Sequence, residues 1–185
     1  MTDTEEHLGR RIAELRKSRD WNLDLLAEKS GISRATLSRI ERGDTSPTAA
    51  SLGQLARAFQ ITMAEVFGFG APVLDAKIAR TEQAVWQDPE TGFLRRSVSP
   101  ACSGFRGSVI EGELPAGKTI SYSVPPLPDL EHHLVLLQGA LVMTIGDERH
   151  ELTAGDCLRF RLNAANSYHA TGPEPARYLL TVVTP

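Results

Sequence analysis

Near Phe69 the hydrophobic pattern of this chain changes period, so no fold of a single class can hold both of its parts. From His7 to Phe67 apolar residues recur at helical spacing: Leu8, Ile12, Leu15; Leu23, Leu26, Ala27; Leu37, Ile40; Leu52, Leu55, Ala56, Phe59; Met63, Val66, Phe67. This spacing predicts five short helices, broken at Gly31 and Gly43. Side chains able to cap them stand at Asn22, at Ser33, at Ser46-Pro47 or Thr48, and at Thr62, where Glu65 completes a capping box.

From about Gln83 the text is strand-like. FLRRSV, FRGSVIEGEL, HLVLLQ, ALVMTI, RHEL, DCLRFRL and RYLLTVV are punctuated by PETG, PAGK, IGDE, TAGD and TGPEP. Strands this short and closely spaced predict a sandwich or a barrel. Between the two patterns GFGAPVLDAK reads as a connector, with a short helix near Ala76 to Arg80. The organisation expected is an all-α domain over 1–69, a linker over 70–81 and an all-β domain over 82–185.

Composition narrows the class further. Hydrophobic residues make up 41% and charged residues 23% of the 185, ordinary values for a globular protein. No stretch approaches the roughly 18 apolar residues of a membrane span, and MTDTEEHLGRR has no apolar core of a signal peptide, so a cytoplasmic protein is expected. Cys102 and Cys157 lack metal-type spacing and are expected to be packed thiols. The net charge of -3 excludes wholesale coating of nucleic acid. Positions 1–69 carry ten basic and ten acidic residues, so any nucleic-acid contact must come from a patch.

Arg34, Arg39 and Arg42 supply one, with Arg10, Arg11, Arg16 and Lys17 in a preceding helix. With Leu37 facing inward at about 100° per residue, Ile40 lies beside it while Ala35, Ser38, Arg39 and Arg42 turn outward. LDLLAEKS, the turn Gly31-Ile32-Ser33 and the next helix have the anatomy of a helix-turn-helix, whose second helix sits in the major groove. Small Ala35 and Ser38 allow close approach, and arginine donates two hydrogen bonds to guanine O6 and N7. Arg39 is the prime base reader; Arg34 reads a base or holds a phosphate, and Ser33 and Thr36 donate to phosphates. The candidate DNA contacts are Asn22, Ser33, Arg34, Ala35, Thr36, Ser38, Arg39 and Arg42, whereas Glu41, repelled by phosphates, is assigned to supporting the fold.

The segment LGRRIAELRKSRDWNLDLLAEKSGISRATLSRIERGDTSPTAASLGQLARAFQITMAEVF resembles the Cro/C1, or xenobiotic-response-element, helix-turn-helix family, with LA, SGIS, LSRIERG and SPT in that family's order. The resemblance implies a five-helix domain in which the helices at about Leu23 to Ser30 and Arg34 to Arg42 bind DNA. Leu23 departs from it, standing where many members carry a polar residue that touches DNA.

GELPAGK, HHLVLLQGALVMTIGDERHELTAGDCLRF and the ending PARYLLTVV resemble the cupin family, which implies a jelly-roll barrel. Many cupins hold a metal through a His-x-His, a glutamate and a further histidine. Here the His-x-His region falls in SVPPLPDL, which has no histidine; His132 stands at the glutamate position and Asn166 at the last histidine position. His132 and His133 point to opposite faces of a strand and cannot easily share a metal. The expectation is no metal and no cofactor, with His132, Leu134, Leu136, Asn166 and Tyr168 lining a small-molecule pocket. On DCLRFRL, Arg159 and Arg161 lie together, either outside or lining the cavity.

Taken together these readings point to a transcriptional regulator, with repression favoured because no separate activation segment is evident. It binds a near-palindromic double-stranded DNA operator as a homodimer, takes a small-molecule effector in the cupin-like part, and has no membrane partner. The alternative is a metal-dependent cupin oxygenase or isomerase with a DNA-binding appendage, and the missing His-x-His counts against it.

Overall fold

The computed structural model describes residues 3–67, 76–102 and 104–185, with side chains from His7 onward. Among these residues the helical part comprises α1 (Asp3–Lys17), α2 (Leu23–Ser30), α3 (Arg34–Glu41), α4 (Ala49–Phe59) and α5 (Met63–Val66). Each cap is made by a side chain the sequence offers: Asn22 accepts from Leu25 N, Ser33 from Thr36 N, Thr48 from Ser51 N, and Thr62 and Glu65 close a capping box. Gly31 ends α2 in the left-handed conformation (φ 75°), which needs no Cβ.

The helices bury Leu8, Ile12, Leu26, Leu37, Ile40, Leu52 and Leu55 against one another. Gly9 lets α1 lie on the end of α3: a methyl group there would stand 2.4 Å from the carbonyl oxygen of Ile40. The crossing is fixed by Arg16, whose Nε and Nη2 donate to the two carboxylate oxygens of Glu41 at 2.7 and 2.8 Å. Glu41 thus supports the fold, and Arg16 is drawn inward instead of joining a basic surface.

The β part begins with a one-turn 3-10 helix, Arg80–Glu82, placed later than the helix expected near Ala76; the rest of the connector, 68–75, lies outside the described residues. Ten strands follow among the described residues: β1 (Val85–Gln87), β2 (Leu94–Ser99), β3 (Gly107–Leu114), β4 (Thr119–Tyr122), β5 (Leu130–Gln138), β6 (Ala140–Ile145), β7 (Glu148–Thr153), β8 (Cys157–Leu162), β9 (Asn166–Ala170) and β10 (Ala176–Val183). They form a six-stranded sheet in the order β1-β2-β3-β10-β5-β8 and a four-stranded sheet in the order β4-β9-β6-β7, all antiparallel. Inner faces alternate with outer ones along β3 and β5, as two-layer burial requires.

Arg159 and Arg161 face solvent on β8, which settles the pair outside the barrel. The cysteines depart from expectation: Cys157 shares that outer face and is exposed, and Cys102 is half-buried. No helix among the described residues is long and apolar enough to cross a membrane.

The two cores are continuous. Phe67, just after α5, meets Trp86 edge-on at 5.8 Å; Trp86 meets Phe93 at 6.5 Å; Phe93 stacks on Tyr178 at 6.4 Å and Tyr178 on Tyr168 at 5.7 Å. Trp86 also donates through Nε1 to Ser46 Oγ at 3.2 Å. Gly53 of α4 lies against Tyr122, whose Cδ1 would be 2.9 Å from an added Cβ.

Because the obstacle at Gly9 is backbone and not a flexible side chain, Gly9→Ala is expected to destabilise the protein by about 1–3 kcal/mol. Urea denaturation measures this, and an unchanged midpoint would show that α1 and α3 are not in such close contact.

Candidate functional site

Two regions hold the residues singled out from the sequence. On α3, Leu37 and Ile40 are buried while Ala35 and Arg39 are exposed and Ser38 is half-buried. Arg34 Nε lies 3.1 Å from Asp24 Oδ1. Arg42 donates through Nη1 to Ser38 Oγ at 2.6 Å and through Nε to Asp44 Oδ2 at 2.8 Å. Arg39 is exposed and has no ion pair or side-chain hydrogen bond among the described residues. Ser33 and Thr36 share a hydroxyl contact of 2.9 Å, and Asn22 Oδ1 is occupied by its cap at 2.8 Å, which leaves the Asn22 amide protons facing outward.

The second region is a cavity of about 80 Å³ between the two sheets. Gly53, Thr62, Met63 and Ala64 from the helical part close it, and His132, Asn166 and Tyr168 line it. It shares Gly53, Tyr122, Val124 and Asn166 with a wider open cleft of about 380 Å³ that runs beside α4 past Arg57.

Leu134 and Leu136 are both fully buried on the His132 face of β5, and the described cavity wall does not include them. They stand opposite Leu180 and Tyr178 in β10. Side chains fill the barrel there, with the Phe93, Tyr178 and Tyr168 rings stacked across it.

One residue of the wall was not anticipated. Arg95 is 4% exposed, on the inner face of β2 between Phe93 and Ser97. Its register continues across the sheet through Gly112 to Tyr178, and Gly112 is needed because a Cβ would meet the Tyr178 ring at 2.4 Å. The guanidinium donates through Nη1 to Ser97 Oγ at 3.1 Å and lies 4.4 Å over the Phe67 ring. No carboxylate pairs with it among the described residues. Burial pulls it down to about 10, so it is charged at neutral pH.

A signal for Arg95 existed in FLRRSV. Two adjacent arginines on one strand must face opposite sides, so one of them enters a barrel. Arg96 takes the outer side, near Glu111 at 3.4 Å.

The other polar groups of the wall are neutral. Burial, with a smaller contribution from His133, lowers His132 from 6.5 to about 4, leaving an uncharged imidazole whose Nδ1 has no partner. Asn166 is 6% exposed and its Nδ2 is also unpartnered. Burial raises Tyr122, Tyr168 and Tyr178, which keeps all three phenols protonated.

These residues do not fit a metal ion. His133 turns outward to Glu131 at 2.8 Å, His169 bonds Thr119 Oγ1 at 2.8 Å, and His150 lies 3.5 Å from Glu148. No group of three or more His, Cys, Asp or Glu side chains among the described residues is placed to hold one.

Residues 12–66 match the family described as Helix-turn-helix and residues 128–183 the family described as Cupin domain. The chain therefore joins a helix-turn-helix domain to a cupin domain. It is 25% identical over 178 residues to the HTH-type transcriptional regulator SutR of Escherichia coli (strain K12), a match covering 96% of this chain and 95% of that relative. An HTH_3 family transcriptional regulator from Vibrio cholerae has a similar structure, with a TM-score of 0.79 and 24% identity over 98% of this chain and 97% of that one. The Fe(II) form of HppE is similar in fold at a TM-score of 0.51 and 14% identity, covering 98% of this chain and 100% of that one.

His132 gives a pH test with a definite sign. The unfolded chain takes a proton near 6.5 and the folded chain only near 4, so between these values unfolding is favoured as the pH falls. Stability is expected to drop by up to about 3 kcal/mol through this window in the native chain, and by less in His132→Gln. Denaturation at a series of pH values checks it; the same slope in both proteins would mean that His132 titrates normally.

Proposed function

We propose that this chain is a sequence-specific DNA-binding transcriptional regulator, acting as a repressor, whose cupin domain takes a small-molecule effector and pairs two copies into a homodimer. The observation that carries the reading is the state of the α3 arginines. Asp24 and Asp44 hold Arg34 and Arg42, while Arg39 projects without a partner from a face kept small by Ala35 and Ser38. An unpaired guanidinium at that position can give both of its parallel hydrogen bonds to one guanine.

Asn22, Ser33, Arg34, Thr36, Ser38 and Arg42 then flank Arg39 as phosphate contacts that set register. Two such heads on a two-fold axis require a near-palindromic operator. An effector that binds one arrangement of the dimer better than the other shifts the spacing of the heads. The likeness to SutR over nearly the whole chain supports the reading. A protein that acts on operators works in the cytoplasm.

The catalytic alternative, a metal-dependent oxygenase or isomerase, has less support. The cavity pairs a neutral histidine with an amide and phenols, which suits binding. His132, Asn166 and Tyr168 are assigned to effector contact.

Arg39→Ala is expected to leave the fold intact and to weaken operator binding by about 1–3 kcal/mol, with relaxed preference at one base pair. Selection of bound fragments from genomic DNA, followed by gel shifts with both proteins, measures this. Unchanged affinity and specificity in the variant would remove DNA reading from α3.

A further inference from the structure

Arg95 is a buried positive charge in the wall of the cavity, and no anion among the described residues pairs with it. Isolated buried charge is costly, and proteins normally pair it. The carboxylate of Asp88, also buried, is engaged by the Thr91 hydroxyl at 2.6 Å and the Glu90 amide at 3.3 Å, outside the wall. Glu111 serves Arg80, Arg96 and Arg177 on the opposite face of the sheet.

The cavity also holds other groups able to donate to an anion. Asn166 Nδ2 is buried without an acceptor, and the phenols of Tyr122, Tyr168 and Tyr178 are protonated. Thr62, Ser108 and His132 add polar groups, and the rest of the wall is mainly apolar, with Ile110, Leu130, Leu162 and Leu180 among it.

We propose that Arg95 is an anion-binding residue and that the effector is a small organic acid, its carboxylate on the guanidinium and its carbon skeleton against the aliphatic wall. A carboxylate accepts the two parallel N–H bonds that the guanidinium fork offers. The volume of about 80 Å³ limits the ligand to a few carbons or one ring unless the wall moves. The exposed Arg57, in the adjoining cleft, draws anions toward the entrance.

The position also explains how an acid would be felt by the DNA-binding part. The guanidinium that would take the carboxylate lies on Phe67, and Thr62, Met63 and Ala64 help close the same cavity. Occupancy therefore acts directly on the seam between the two parts. The inference rests on the effector-sensing reading above and assigns the effector its chemical class.

The test is isothermal titration of the full chain at constant ionic strength with acetate, butyrate and benzoate. Each is run beside its neutral amide, and inorganic sulfate is a separate arm. Saturable binding of at least one carboxylate, none of its amide, and a loss of roughly 30-fold or more in Arg95→Met is the expected result. Arg95→Lys keeps the charge without the fork and is expected to fall between the two; it carries the test if circular dichroism shows Arg95→Met unfolded. Equal binding of acid and amide, no carboxylate bound, or undiminished binding in the folded variants overturns the proposal. Sulfate bound with no carboxylate overturns the assignment to an organic acid. Gel shifts on the same preparations separate the two levels: operator binding without carboxylate binding defeats this inference alone, and carboxylate binding without operator binding defeats the regulator reading.

Discussion

Phe67 holds the two parts of this protein in register, with Trp86 at the edge of its ring and the guanidinium of Arg95 over its face. Such ring pairs contribute about 0.5–1.5 kcal/mol each beyond their burial, and a desolvated cation over a ring about 2 kcal/mol. The chain of rings that starts there reaches Tyr168 and Tyr122 of the second sheet, where Gly53 of α4 meets it again. The helices therefore touch the barrel on both sheets, and the cavity lined by Arg95 and His132 lies between the points of contact.

This arrangement gives α3 a defined platform. Its inner face is held by Leu37 and Ile40, its end by Gly9 and by the two hydrogen bonds that Arg16 donates to Glu41. Other basic groups of the helical part are likewise spent on structure. Arg19 covers the stacked Trp21 and Phe59 rings and donates to the Phe59 carbonyl at 2.8 Å, and Lys29 lies 5.2 Å over Trp21. A charge count near neutrality thus resolves into cations that stabilise the fold and others that project, and on α3 the projecting cation without an ion pair is Arg39.

Local signals made most of the helical part legible. Asn22, Ser33, Thr48 and Thr62 each cap the helix that follows, because a short side-chain acceptor next to free amides acts over a few residues and needs no tertiary information. The β part was readable where alternation ran long, as in β3 and β5. It was missed at β1, β4 and β9, whose short runs VWQ, TISY and NSYHA are strands only because a partner strand completes them. Of the cavity, His132 and Asn166 were legible from family register, with Tyr168 named beside them, whereas Arg95 was not. Its burial depends on where Gly112 and Phe67 stand, and both are far from it in sequence.

The boundary that the change of period marks near Phe69 invites treating the chain as two exchangeable modules, and the seam argues otherwise. Trp86 and Phe93 flank the turn between β1 and β2; Trp86 meets Phe67 and Ser46, and Phe93 backs Trp86, so that hairpin is shaped to the helices as much as to the barrel. A chimera joined in the connector would set one lineage's Phe67 against another's Trp86 and leave Arg95 beside a foreign ring. Recombination among regulators of this architecture would then succeed most readily when the first two strands travel with the reading head, and the heritable unit would end near Ser99 instead of at the linker.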